Sequence, residues 1–163
     1  MHLRALQVED APYMLEWMHD YSVVKDLQAD FMSKTLSDCC AFIRHSQSDT
    51  DNLNLAIADD QNIYMGTVSL KHIKSDCAEM AIVVRKSAMG KGFSAYAIHA
   101  IAEVGFEKKG LSYIYWCVSP NNQRAIRFYN KNGFERFDVV GLGIDGYSAK
   151  QIDEYLWYKK SRG

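Results

Sequence analysis

Met89-Gly90-Lys91-Gly92-Phe93-Ser94 lies between an apolar run, Met80 to Val84, and a long helical pattern, Ala95 to Lys108. A strand that empties through small residues into a helix start leaves the first backbone N–H groups of that helix without intrahelical partners. With the helix dipole, those groups make a ready anion site, best suited to a phosphate or pyrophosphate. A glycine turn before a helix is also ordinary punctuation of the chain. The surrounding sequence has to decide between the two.

Upstream, Leu3-Arg4-Ala5-Leu6 alternates apolar and polar residues as a short strand does. Asp10 and Pro12 then open a helix carrying Met14, Leu15, Trp17 and Met18 at helical spacing, and a second helix starts near Ser37. Leu53–Ala58 and Ile63–Ile73 read as a hairpin around Asp59-Asp60-Gln61-Asn62, with Gly66 marking a bulge or a close backbone approach. Cys77–Val84 adds another antiparallel strand before the glycine loop. Downstream, Gly110 stops the long helix, and Tyr113–Val118 is a strand rich in β formers. Gln123–Lys131 is a further helix ended by Asn132-Gly133, and Phe134–Val140 and Glu154–Lys159 read as two last strands. With two prolines and no repeat or low-complexity segment, residues 1–163 read as one mixed α/β domain.

The bulk properties narrow the function. A formal net charge of -1 argues against a general nucleic-acid binder. No apolar stretch nears the roughly 20 residues that span a bilayer. The start of the chain carries no signal-peptide pattern, so no membrane partner and a cytoplasmic location are expected. Cys39, Cys40, Cys77 and Cys117 lack C-x-x-C spacing and a histidine cluster, so free thiols and no metal are expected. A Gly-x-x-x-x-Gly-Lys-Ser/Thr loop is absent, which excludes that class of nucleotide hydrolase. The full dinucleotide glycine fingerprint is absent too, and three strands precede the loop, which excludes a Rossmann dehydrogenase.

A second block changes the reading of the first. Asn122-Gln123-Arg124-Ala125-Ile126-Arg127-Phe128-Tyr129, followed by Lys131-Asn132-Gly133-Phe134, resembles the Asn-x-x-Ala-x-x-x-Tyr block of the GCN5-related N-acetyltransferase (GNAT) superfamily. The loop from Met89 to Ser94 resembles that superfamily's Gln/Arg-x-x-Gly-x-Gly/Ala block. The stretch from Leu3 to Trp17 and the Gly90–Ser94 run look most like its ribosomal-protein N-terminal acetyltransferase branch. Met89 departs from the usual Gln or Arg, and Ser94 from the usual Gly or Ala; neither change removes a backbone donor.

The resemblance implies a mixed sheet of about seven strands in the order β-α-α-β-β-β-α-β-α-β-β, splayed between the fourth and fifth. It implies acetyl-CoA as co-substrate, transferred to a primary amine in a direct ternary complex. Met89, Gly90, Lys91, Gly92, Phe93 and Ser94 would cradle the pyrophosphate. Ile82, Val83 and Val84 would offer a strand edge to the amide-rich pantetheine arm, as a peptide adds to a sheet. A backbone N–H near Val83 would stabilise the oxyanion. Asn122 and Ala125 would hold the region beside the cofactor, and Tyr129 would protonate the departing thiolate. Asn122 also suits a helix cap, and Tyr129 suits a core position.

The attacking amine must lose a proton, and Glu79, shortly before the cofactor edge, is the candidate base, directly or through a water. His72 on the preceding strand competes with it. The acceptor side falls on Asp20–Thr35 and Gly141–Gln151, with Tyr21, Asp26, Asp30, Phe31, Asp145 and Tyr147 as candidate contacts. Such carboxylates and aromatics suit a cationic amine. A protein N-terminus, an amino-sugar, a polyamine and an antibiotic all stay open as acceptors, as does a non-catalytic CoA-binding module. Many members of the superfamily are dimers, so a homodimer is an expectation from analogy.

Overall fold

The computed structural model describes residues 1–163. Its strands are β1 (His2–Ala5), β2 (Leu53–Ala58), β3 (Tyr64–Lys71), β4 (Cys77–Val84), β5 (Tyr113–Val118), β6 (Glu135–Arg136) and β7 (Leu156–Ser161). They form one mixed sheet in the order β1-β2-β3-β4-β5-β7-β6. Helices α1 (Ala11–Met18), α2 (Tyr21–Val24) and α3 (Leu36–Ser46) separate β1 from β2. Helix α4 (Phe93–Lys109) joins β4 to β5, and α5 (Gln123–Lys131) and α6 (Ala149–Glu154) flank β6. This is the expected splayed α/β sheet, with two short helices, α2 and α6, that the expected order lacked.

Both faces of the sheet are covered, and period-two alternation assigns the residues. Ile57 belongs to the core with Val68, Leu70, Ile98, Ile101 and Phe106, on the face carrying α4. Its neighbour Ala56 belongs to the other core, with Leu6, Met14, Trp17, Ile43 and Tyr64. That second core is tied by Trp17 Nε1 donating to the Tyr64 hydroxyl at 2.9 Å, which lies 2.6 Å from Thr67 Oγ1. Leu70, Ile98 and Ile101 are fully buried; each such side chain contributes about 1.5–3 kcal/mol relative to leaving it exposed.

Gly66 marks both things a strand glycine can mark. β3 carries one extra residue against β2, since Ile57 pairs with Gly66 but Ala58 with Tyr64. A Cβ on Gly66 would lie 2.4 Å from the Val83 carbonyl oxygen, so β4 approaches closer than any side chain allows. At the other end of the chain two expectations need correction. The strand expected over Phe134–Val140 is only Glu135–Arg136. After Phe137 N–H donates to Trp157 O at 2.9 Å, the Asp138 carboxylate takes Val140 N–H and the Val139 carbonyl takes Leu142 N–H. Turn bonds thus replace the ladder. The last strand begins at Leu156 rather than Glu154, because Ser148 and Gln151 form a capping box that starts α6.

Candidate active site

The sheet tears between its fourth and fifth strands, as the resemblance implied. β4 and β5 pair in parallel only from Cys77 to Glu79, opposite Tyr113 to Tyr115. Beyond Glu79 the two strands diverge, and the β5-facing edge of Met80–Val84 has no strand partner. A cavity of about 640 Å³ fills the opening. It is lined at one end by Gly90, Gly92, Phe93 and Ser94, and along its length by Ile82, Val83 and Val84.

The glycine end is built from backbone. Gly90 and Gly92 adopt φ of 75° and 87°, which only glycine takes without strain. Gly92 caps α4 with no side-chain hydrogen bond, and the first N–H bonded inward is that of Tyr96, to Gly92 O. The N–H groups before it are free for an anion. A Cβ at Gly90 or Gly92 would meet nothing within 4 Å, so the cradle is open. Arg85 anchors the approach: it makes two 3.0 Å contacts to the Glu16 carboxylate and donates to Tyr64 O. Met89 is half-buried against both cores, which accounts for an apolar residue at that position. Lys91 is exposed and does not line the cavity.

On the β5 side, Asn122 caps α5 by accepting from Ala125 N–H at 3.2 Å and lines the cavity as well. Tyr129 is buried between Trp116 and Tyr158, with ring centroids at 5.6 and 4.9 Å. Its hydroxyl makes no hydrogen bond within the protein, and burial pushes its ionisation above the usual tyrosine range. Asn122 is thus both a cap and a wall of the cavity, and Tyr129 a core ring with an unpartnered hydroxyl. Cys117, Arg124 and Trp116 also line this end, and none was expected there. The Cys117 thiol accepts from Gln28 Nε2 at 3.5 Å and is pushed up by burial. Trp116 Nε1 is buried without a partner.

The far end is built from side chains. Glu79 is no solvent-facing carboxylate, since its side chain is only 3% exposed. Its Oε1 lies 3.0 Å from His72 Nδ1, and its Oε2 accepts the Tyr147 hydroxyl at 2.5 Å with Lys71 Nζ 3.7 Å away. Burial first, then the neighbouring Cys117 and Glu79, push the Tyr147 phenol well up, so it serves as donor. Asp26, Phe31 and Tyr147 line the cavity as expected of acceptor contacts, joined by Asp38 from α3, which was missed. Tyr21, Asp30 and Asp145 do not line it. Tyr21 is 70% exposed, Asp30 turns back to Ser33, and Asp145 pairs with Lys74 at 3.5 Å.

A free strand edge leads from an exposed helix N-terminus to a buried carboxylate, a shape suited to an extended ligand with an anionic end. Residues 1–135 match the family model described as the acetyltransferase (GNAT) domain, and the chain belongs to that family. Among curated relatives, it is 31% identical over 81 residues to aminoglycoside N(6′)-acetyltransferase type 1 of Klebsiella pneumoniae, covering 50% of this chain and 40% of that protein. The chain thus spans two-fifths of that relative's length. It is 33% identical over 76 residues to the kanamycin resistance protein of Rhizobium radiobacter, covering 47% of this chain and 69% of that one. Among solved structures, spermidine N-acetyltransferase from Vibrio cholerae in complex with CoA and spermine superposes with a TM-score of 0.73 at 20% identity, over 97% of this chain and 92% of that one. That likeness is one of fold.

Proposed function

We propose that the protein transfers the acetyl group of acetyl-CoA directly to a primary amine of a small cationic acceptor, a polyamine or an aminoglycoside. The observation that carries this is the continuity of one cavity, from the open N-terminus of α4 along the free β4 edge to the carboxylates of Glu79, Asp26 and Asp38. Acetyl-CoA supplies an acyl group activated as a thioester. The chain supplies the rest.

The Gly90–Ser94 backbone and the α4 dipole hold the pyrophosphate. Ile82, Val83 and Val84 pair with the pantetheine amides, and Asn122 and Ala125 wall the arm from the α5 side. A backbone N–H near Val83 stabilises the negative charge that develops on the thioester oxygen. Glu79 takes the ammonium proton so that a neutral amine can attack. Tyr129 gives its proton to the departing thiolate, and the second proton that the nitrogen sheds as the tetrahedral intermediate collapses restores the Tyr129 hydroxyl. Its raised ionisation keeps it protonated at neutral pH, and its lack of a protein partner leaves the O–H free to reach the sulfur.

The acceptor class draws support from the relatives, which are named for spermidine, aminoglycosides and kanamycin. They do not support the ribosomal-protein branch that the first residues resemble. A panel of spermidine, spermine, kanamycin and a short peptide with a free N-terminus, each with acetyl-CoA, separates the classes by CoA thiol release. Release with spermidine or kanamycin and none with the peptide is expected. Release with the peptide alone would move the acceptor to protein N-termini, and silence throughout would indicate a non-catalytic CoA-binding module.

A further inference from the structure

We propose that Asn54 and Ser69 form a hydroxyl-binding subsite of the acceptor pocket, and that the acceptor is therefore an amino-sugar rather than a polyamine. The inference rests on the transfer reading above and narrows it. Along β3, Thr67, Ser69 and Lys71 alternate with Val68 and Leu70, which belong to the α4 core. All three line the cavity, so the strand turns a polar row toward it. Register fixes their places: Lys71 lies opposite Glu79, while Ser69 has Ala81 on one side and Asn54 of β2 on the other. Asn54 lines the cavity too. The Asn54–Ser69 pair thus stands one same-face step, about 7 Å, from the Lys71–Glu79 pair.

The fold itself makes no use of this pair. Ser69 is buried and Asn54 half-buried, and a polar side chain taken from water costs free energy unless it is fully bonded. The other members of the row have structural work. Thr67 Oγ1 lies 2.6 Å from the Tyr64 hydroxyl, which Trp17 Nε1 supports. Lys71 Nζ faces Glu79 at 3.7 Å. Ser69 and Asn54 have only each other, with Ser69 Oγ donating to Asn54 Oδ1 at 2.6 Å. The Asn54 Nδ2 group makes no hydrogen bond to the protein, and no backbone group depends on either side chain.

Those spare groups select a ligand. Turned either way, the amide leaves the pair with at least one N–H or O–H donor and at least one oxygen lone pair unmatched. A hydroxyl both donates and accepts, so it can meet both. An ammonium only donates, and a methylene does neither. Phe31 and Phe42 line the same cavity from the helical side. A sugar ring carries hydroxyls on its edge for the polar row and C–H groups on its faces for the aromatic rings.

Charge alone does not call for a polyamine. Glu79 already faces Lys71, His72 and the Tyr147 hydroxyl. Asp38 is engaged in the α3 capping box, where its Oδ2 accepts the Thr35 N–H and hydroxyl at 2.9 and 3.0 Å. Asp26 is left as the one carboxylate of this end without a protein partner, while Lys34 lines the cavity as well. Recognition therefore falls to uncharged groups. An amino-sugar fits with its reacting amine at Glu79 and ring hydroxyls at Asn54 and Ser69. The pair makes and breaks no covalent bond; it fixes which acceptor is held. An acceptor lacking those hydroxyls would leave the pair unpaired, which is how such a site rejects it.

The test compares kanamycin B with dibekacin, the same molecule lacking a pair of neighbouring hydroxyls on its aminomethyl-bearing ring, and adds spermidine. For the unaltered enzyme, kcat/KM should be about tenfold or more higher with kanamycin B. In the double variant Asn54→Ala, Ser69→Ala that ratio should fall to within about twofold, through a raised KM for kanamycin B. Calorimetry should show acetyl-CoA affinity as in the unaltered protein, a check that the fold is kept. Ser69→Ala alone, which removes only a hydroxyl, should give an intermediate ratio. A ratio that survives both substitutions overturns the subsite, as does an unaltered enzyme that treats the two aminoglycosides alike. Spermidine turned over as well as kanamycin B overturns the amino-sugar assignment and leaves the transfer reading standing. If none of the three amines releases CoA thiol, both fall.

Discussion

The two ends of the cavity are made of different material. The cofactor end is backbone: two glycines at positive φ, free N–H groups of α4, and a strand edge that lost its neighbour. The acceptor end is side chains brought from β3, β4, α3 and the loops before α3 and α6 onto one buried carboxylate and its surroundings. A backbone site tolerates replacement of its side chains as long as φ and the donors survive, which is how Met89 can stand where the family has Gln or Arg. A side-chain site has no such tolerance. Each of its members carries chemistry that its neighbours cannot replace.

The comparison can be broken most sharply at Glu79. Glu79→Gln keeps the shape but cannot accept a proton, so kcat should fall by about 10²–10⁴, while calorimetry shows acetyl-CoA affinity within about threefold of wild type on a 1.4 kcal/mol-per-decade scale. A matching loss of affinity would show that the two ends are not separable. Tyr129→Phe probes the junction: kcat should fall by about 10²-fold, again with binding kept. In the unaltered enzyme the acid must stay protonated. Because burial raises its ionisation, turnover should persist as pH rises past about 10, the ordinary tyrosine value. A decline centred below that value would remove Tyr129 from the acid role.

Gly66→Ala tests the backbone end without touching any ligand. The added Cβ would fall 2.4 Å from Val83 O, so β3 and β4 must move apart. A loss of about 3 kcal/mol in denaturant unfolding is expected, with weaker acetyl-CoA binding because Val83 belongs to the edge. The smallest effect sharpens the contrast. Met89→Gln should change KM for acetyl-CoA by less than about threefold, under the roughly 1.4 kcal/mol of a tenfold change. A tenfold gain would show that a side chain can do what the backbone is here taken to do.

The same division decided what could be read in advance. Glycines before a helical pattern, and an Asn and a Tyr seven residues apart, are local signals, and most of the residues they single out line one cavity. Lys91 was the exception, because the chain order of a loop does not say which members face inward. The acceptor end depends on long-range placement. That Tyr147 reaches Glu79 across 68 positions, or that His72 pairs with it, is set by the sheet and by the path of the last loop. Two signals were present and unused. Ser148-Ala149-Lys150-Gln151 spells the capping box that starts α6, and Arg124 sits inside the quoted block two residues after Asn122. The strand expected over Phe134–Val140 failed because Asp138 turns the chain away, a contest between turn and ladder that apolar alternation cannot register.

The parting of β4 from β5 after Glu79 has a consequence for the molecule as a whole. A sheet with a row of main-chain groups left open is less than fully formed, and in the proposed binding mode the pantetheine arm would complete it. Mass action then couples folding to supply. At acetyl-CoA a hundredfold above its dissociation constant, the folded state gains about 2.7 kcal/mol over the empty one. Amide exchange along Met80–Val84 and Trp116–Val118 should slow in step. On the proposed binding mode, the persistence of this protein would track the acetyl-CoA concentration around it, and a starved enzyme would also be a softer one.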